Sequence, residues 1–188
     1  MKWWDDLWLN EGFASYIQYK GMDHAEPDWE SMSLFTTVLI GVMEPDSVIS
    51  SHPIIQPVRN PSEISSLFDA ISYSKGSSVL RMLENFMPED DFRRGVSRYL
   101  KKHEFGNTIT FDLWEELEAS SSNDLPISSI MEGWTKQMGF PVVSVERNGT
   151  TFTVSQSRFL MNPDTAVNST DSPYRYIWQV PLTYRTSE

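Results

Sequence analysis

The sequence predicts a mainly α chain with a β part at its C-terminus. Two observations carry this reading. Apolar residues recur at three-and-four spacing from Leu7 to Met138, and beyond Phe140-Pro141 the period shortens to two. A third sets the scale: 188 residues, 39% of them apolar, are enough for a packed core in one domain, or one domain and part of another.

The elements follow in order. Asp5 and Asp6 stand where acids favour a helix N-terminus, and Leu7, Trp8, Glu11, Ala14, Ser15 and Gln18 then share a face. Pro27 suits the first turn of a second helix, with Trp29, Met32, Phe35, Leu39 and Val42 as its stripe. Residues 44 to 60, which include Pro45 and Pro53, read as extended and irregular. Asn60-Pro61-Ser62-Glu63 has the layout of a capped helix start. A helix is expected from about Phe68 to Phe86, and Pro88-Glu89-Asp90 opens another. That one carries Phe92, Val96, Tyr99 and Leu100 and ends in Lys101-Lys102-His103, the right charge for a C-terminus. Thr110 is expected to cap a short helix through Leu117, and residues 120 to 124 form a polar loop. Ile127, Ile130, Met131, Trp134 and Met138 make the last helical stripe, with Gly139 as its C′ residue. Val143, Val145, Phe152 and Val154 then alternate around Asn148-Gly149, a hairpin signal. Arg158 to Met161 and Tyr176 to Tyr184 also read as strands. A boundary near residue 139 therefore divides a helical part, 1–138, from a β part, 139–188.

Composition excludes several functions. With 26 acidic and 15 basic residues the net charge is −11, so the chain repels phosphate and non-specific nucleic-acid binding is excluded. No run of about 18 apolar residues exists for a transmembrane helix in this stretch. Trp3-Trp4-Asp5-Asp6 interrupts any leader-like apolar region. The absence of cysteine removes disulfides, thiol nucleophiles and thiolate metal sites. The chain opens and closes inside what read as elements and is 13% aromatic, so either the core is unusually aromatic or some of these rings pack on sequence lying outside it.

The informative segment runs from Trp3 to Ser15. Within it Glu11 is a carboxylate on a helix rich in aromatic and apolar residues. Such a group needs a partner, and both a metal ion and a cationic side chain supply one. The segment resembles the zinc-binding stretch of the zinc aminopeptidases typified by aminopeptidase N and glutamyl aminopeptidase, whose catalytic domain is similar to thermolysin. In that family an H-E-x-x-H helix gives two His ligands and a later Asn-Glu gives the third. The resemblance therefore implies that Asn10-Glu11 supplies a zinc ligand, Glu11. Phe68-Asp69-Ala70-Ile71-Ser72-Tyr73-Ser74-Lys75-Gly76 also matches, and implies that the Tyr73 phenol stabilises the oxyanion of the tetrahedral intermediate. Further similar stretches are Ser51 to Ile54, Trp134 to Pro141, Arg158 to Leu160 and Trp178 to Pro181, so the likeness spans the chain. It implies the helical half of a thermolysin-like catalytic domain, followed by the start of a β-sandwich.

The departures are equally informative. H-E-x-x-H is absent: the histidines are His24, His52 and His103, and no two stand four apart. The two His ligands, the general base and the loop that binds the substrate's amine would all lie upstream of Met1. The expected parent enzyme takes zinc as its cofactor and peptides as its substrate. It is membrane-anchored at the extracellular face, with a homodimer possible, while this chain alone is expected to be inactive. A truncated, non-catalytic product acting as a binding or decoy module is the alternative. Sequons at Asn148 and Asn168 fit an extracellular domain, whereas Asn60-Pro61-Ser62 is excluded by its proline. Around the site, Asp69 and Lys75 either orient Tyr73 or form a surface pair. Ser15 either bonds near the ligand or serves its own helix, and Asn10 either orients the helix or packs. His52 is expected to be structural, His24 and His103 to be surface residues, and Trp3, Trp4 and Trp8 to be core.

Overall fold

The computed structural model describes residues 1–88 and 90–185; Glu89, expected in the opening of the fourth helix, lies outside them. Among the described residues the architecture is mainly α with one C-terminal antiparallel hairpin. The helices are α1 (Trp8–Ala25), α2 (Ser31–Asp46), α3 (Gly76–Phe86), α4 (Asp91–Lys102), α5 (Thr110–Glu118) and α6 (Ile127–Thr135). The strands are β1 (Pro141–Asn148) and β2 (Thr151–Arg158).

The core gathers Trp8, Phe35, Leu80, Leu83, Leu113, Trp114, Leu117 and Met131, all essentially dry. Each such side chain contributes on the order of 1.5–3 kcal/mol by leaving water. Trp8 packs on Trp114 with ring centroids 5.6 Å apart. Its indole N–H donates to Thr110 Oγ1 at 2.9 Å, and the Thr110 hydroxyl and backbone N–H donate to the buried Asp6 carboxylate. Thr110 therefore ties α5 to the chain start and does not cap its own helix. That role falls to Asp112, which accepts from the Ile109 N–H at 2.9 Å.

Several other expectations are corrected. The buried face of α1 is Trp8, Leu9, Gly12 and Tyr16, while Ala14 and Gln18 face solvent. Of the three early tryptophans only Trp8 is fully buried. Pro27–Trp29 is a separate 3₁₀ turn, ended by Glu30 at φ 48°, so Trp29 is 61% exposed and α2 begins at Ser31. The Asn60 box forms as expected, with the Glu63 carboxylate accepting from the N–H groups of Arg59 and Asn60, but the turn it opens, Pro61–Leu67, is 3₁₀. Leu100 is 62% exposed. Helix α6 stops at Thr135; Gly139, at φ 78°, sits at the entry to β1 and is no C′ residue.

Asn148 pairs with Thr151, which makes Gly149-Thr150 the two-residue hairpin loop, with Gly149 at φ 61°. The ladder ends at Arg158. Phe159 N–H extends the register by one bond to Phe140 O, and Met161 N–H then bonds Ser47 O. Residues 176 to 184 form no ladder either. The Gln156 amide brackets the Trp178 peptide instead, accepting its N–H at 2.9 Å and donating to its carbonyl at 2.8 Å. A side chain thus takes the place of a strand neighbour.

Candidate active site

Glu11 lies in the first turn of α1. Tyr73 lies in the middle of a π-turn, Ile71–Lys75, that leads into α3. Far apart in sequence, the two elements cross at a pair of glycines. A Cβ placed on Gly12 would sit 3.1 Å from the Gly76 carbonyl carbon, so the two backbones pack closely and a side chain at Gly12 would push them apart by a few tenths of an ångström. Gly12 follows Glu11 and Gly76 closes the turn that carries Tyr73, so this contact brings carboxylate and phenol together. Partial loss of water and the nearby Glu11 carboxylate raise the Tyr73 phenol above the ordinary tyrosine value. Both side chains remain half-exposed.

The π-turn is held at both ends, and the helix expected from Phe68 begins only where it is capped. Asp69 Oδ1 accepts from the N–H groups of Ile71 and Ser72, at 2.9 and 3.1 Å, and its carbonyl accepts from Tyr73 N–H at 3.2 Å. Asp69 Oδ2 meets His52 Nε2 at 2.6 Å, while His52 Nδ1 lies 2.8 Å from the Pro53 carbonyl. A carboxylate and a carbonyl only accept, so these two contacts favour a proton on both ring nitrogens, the imidazolium form. The Asp69 hydrogen bond accordingly raises the His52 pKa. Burial tends to lift the Asp69 carboxyl, but the His52 bond and the backbone donors outweigh it and lower its pKa. Lys75 is buried against Asp46, Nζ to Oδ2 2.7 Å. Burial pushes its ammonium below the usual lysine value, against the pull of Asp46. Asp69 and Lys75 are therefore not a pair: Lys75 is buried, and Asp69 is half-exposed against His52. Their partners, His52 and Asp46, were not read as site residues. The available signals were the placement of both in a polar stretch between apolar ones and the motif Ser51-His52-Pro53.

Asn10 is exposed, Ser15 half-buried and His24 exposed; His103 is half-buried against the Tyr99 ring. None of them joins Glu11 and Tyr73. A cavity of about 620 Å³ opens between α2 and α3, lined by Phe35, Val42, Lys75 and Phe140 among others. Neither Glu11 nor Tyr73 lines it, so the volume and the chemistry lie apart. Zinc takes three or four protein ligands. Among the described residues no group of three or more His, Cys, Asp or Glu converges, so Glu11 alone does not make a zinc site.

Residues 1–134 match the peptidase family M1 domain, and the chain belongs to that family. It is 47% identical over 183 residues to the glutamyl aminopeptidase of Sus scrofa, covering 97% of this chain and 19% of that protein. It is also 47% identical over 192 residues to the aminopeptidase N of Homo sapiens, covering 97% and 20%. The chain thus spans about a fifth of the length of these curated relatives.

Proposed function

We propose that the chain carries one wall of the active site of a zinc aminopeptidase. Glu11 is one ligand of the metal, and the Tyr73 phenol donates to the oxygen that becomes negative as the tetrahedral intermediate forms. The two His ligands, the general base and the amine anchor are supplied by sequence N-terminal to this chain in the parent protein. The observation that supports this reading most is the meeting of Glu11 and Tyr73 at the Gly12–Gly76 crossing. A phenol keeps its proton at neutral pH and is a competent donor there. Its bond to the oxygen strengthens as charge develops, which lowers the barrier without tightening substrate binding.

On this reading the parent protein removes N-terminal residues from peptides. Residues 1–138 belong to its catalytic domain and 139–188 begin a small β-sandwich. The exposed sequons at Asn148 and Asn168, with the resemblance of the motifs to aminopeptidase N and glutamyl aminopeptidase, support an extracellular, glycosylated, membrane-anchored and homodimeric parent. Among the described residues no helix is long and apolar enough to cross a membrane.

Hydrolysis of an aminoacyl chromogen tests the proposal, on this chain and on one extended upstream through H-E-x-x-H. The extended chain is active and the short one is not. Tyr73→Phe in the extended chain lowers kcat by about 10²–10³ with KM nearly unchanged. Activity of the short chain refutes the division of the site, and silence of both favours a non-catalytic binding module.

A further inference from the structure

We propose that the buried Lys75–Asp46 ion pair positions Tyr73 by fastening the end of the π-turn to the peptide of Gly139. The inference rests on the reading of Tyr73 as the oxyanion donor. Lys75 is the last residue of the turn and only 4% exposed, and Asp46, at the end of α2, is 1% exposed. Lys75 Nζ meets Asp46 Oδ2 at 2.7 Å and donates to Gly139 O at 2.9 Å. Asp46 Oδ1 accepts from Gly139 N–H at 2.9 Å and from Ser51 Oγ at 2.8 Å. The Gly139 residue is thus gripped by the ammonium at its carbonyl and by the carboxylate at its N–H. A side chain there is strained at φ 78°, and its Cβ would lie 2.7 Å from Arg158 Nε and displace that side chain.

Stability alone does not account for such a pair. Two charges taken out of water cost several kcal/mol each, and apolar residues of similar volume often hold a fold equally well. What the pair adds is direction. The ammonium has one place where Asp46 and Gly139 O converge, and that place fixes the register of the turn. A π-turn carries one residue more per turn than the α-helix it interrupts, a rare geometry that frequently marks functional sites. Asp69 pins its start and Lys75 its end, and Tyr73 lies between. The same node joins the turn to the entry of β1, so the hairpin and the phenol share one anchor.

Hydrogen exchange on the 188-residue chain tests this with D46L/K75M, which replaces the pair by apolar residues. The amides of Ile71–Lys75 and of residues 139 and 140 then exchange together about tenfold faster, while the urea midpoint of the whole chain stays near that of the wild type. Unchanged exchange in the turn, or acceleration confined to one of the two segments, overturns the proposal. Should the double variant fail to fold, Ser51→Ala decides: it loosens Asp46 without removing a charge. It must speed exchange in Ile71–Lys75, and unaltered exchange overturns the proposal. In the upstream-extended protein D46L/K75M lowers kcat at unchanged KM and zinc content, whereas a pair serving stability alone leaves kcat intact. An inactive extended wild type would defeat the reading of Tyr73, while the exchange data still decide the anchoring.

Discussion

Gly12→Ala probes the contact on which the site depends. The added methyl would lie 3.1 Å from the Gly76 carbonyl carbon, 3.3 Å from Gly76 Cα and 3.3 Å from Trp8 Cε3. Comfortable carbon contacts begin near 3.5 Å, so α1 must move from the π-turn by a few tenths of an ångström. Overpacking of this kind costs about 1–3 kcal/mol, and replacing Gly by Ala inside a helix returns about 1 kcal/mol. The expected net loss is roughly 0–2 kcal/mol. Gly76→Ala is the control, because its methyl would meet Gly12 Cα at 3.4 Å and Trp8 Cε3 at 3.5 Å, ordinary separations. It should be neutral or stabilising by up to about 1 kcal/mol. Urea unfolding followed by tryptophan fluorescence reads both. In the extended protein Gly12→Ala should also lower kcat by parting Glu11 from Tyr73. If Gly12→Ala proves the more stable of the two variants, the backbones are not in contact and the explanation of how carboxylate and phenol meet is wrong.

Two other perturbations follow from the geometry. Asp6→Ala leaves the Thr110 N–H without its buried acceptor and breaks the chain of bonds to Trp8; it should cost about 1.5–3 kcal/mol in the same urea assay. The His52–Asp69 pair gives a pH dependence with opposite signs on its two sides. His52 is raised, so its contribution is complete below the unfolded value of 6.5 and fades as pH climbs through its higher folded value. Asp69 is lowered, so its contribution is complete above 3.8 and fades as pH falls through its lower folded value. The pair therefore contributes most between about pH 4 and 6.5. His52→Gln should flatten the alkaline loss measured by thermal unfolding from pH 5 to 9, and an unchanged slope would show that His52 is not charged in the fold.

The helical stripes and the hairpin were legible because burial imposes a period that sequence records directly. Asn60 to Glu63 was legible because a capping box is local. The face of α1 was not: a glycine carries no hydropathy signal, yet Gly12 packs directly on the backbone of Gly76. Nor was the Lys75–Asp46 pair, since each charge looks solvated until a distant element brings the other. Tyr176 to Tyr184 has strand-like composition, but the pairing it would need is supplied by the side chain of Gln156. Glu11 and Tyr73 stood out through their resemblance to a family motif, because spacing alone leaves a carboxylate on an aromatic helix open between a metal and a cation.

Metal analysis of the upstream-extended protein is the most direct test of the central assignment. Wild type should carry about one zinc per chain and Glu11→Ala should carry far less, with secondary structure retained, because removing one of three protein ligands leaves a poor site. Zinc content that stays the same in Glu11→Ala would contradict the assignment of this carboxylate as a ligand.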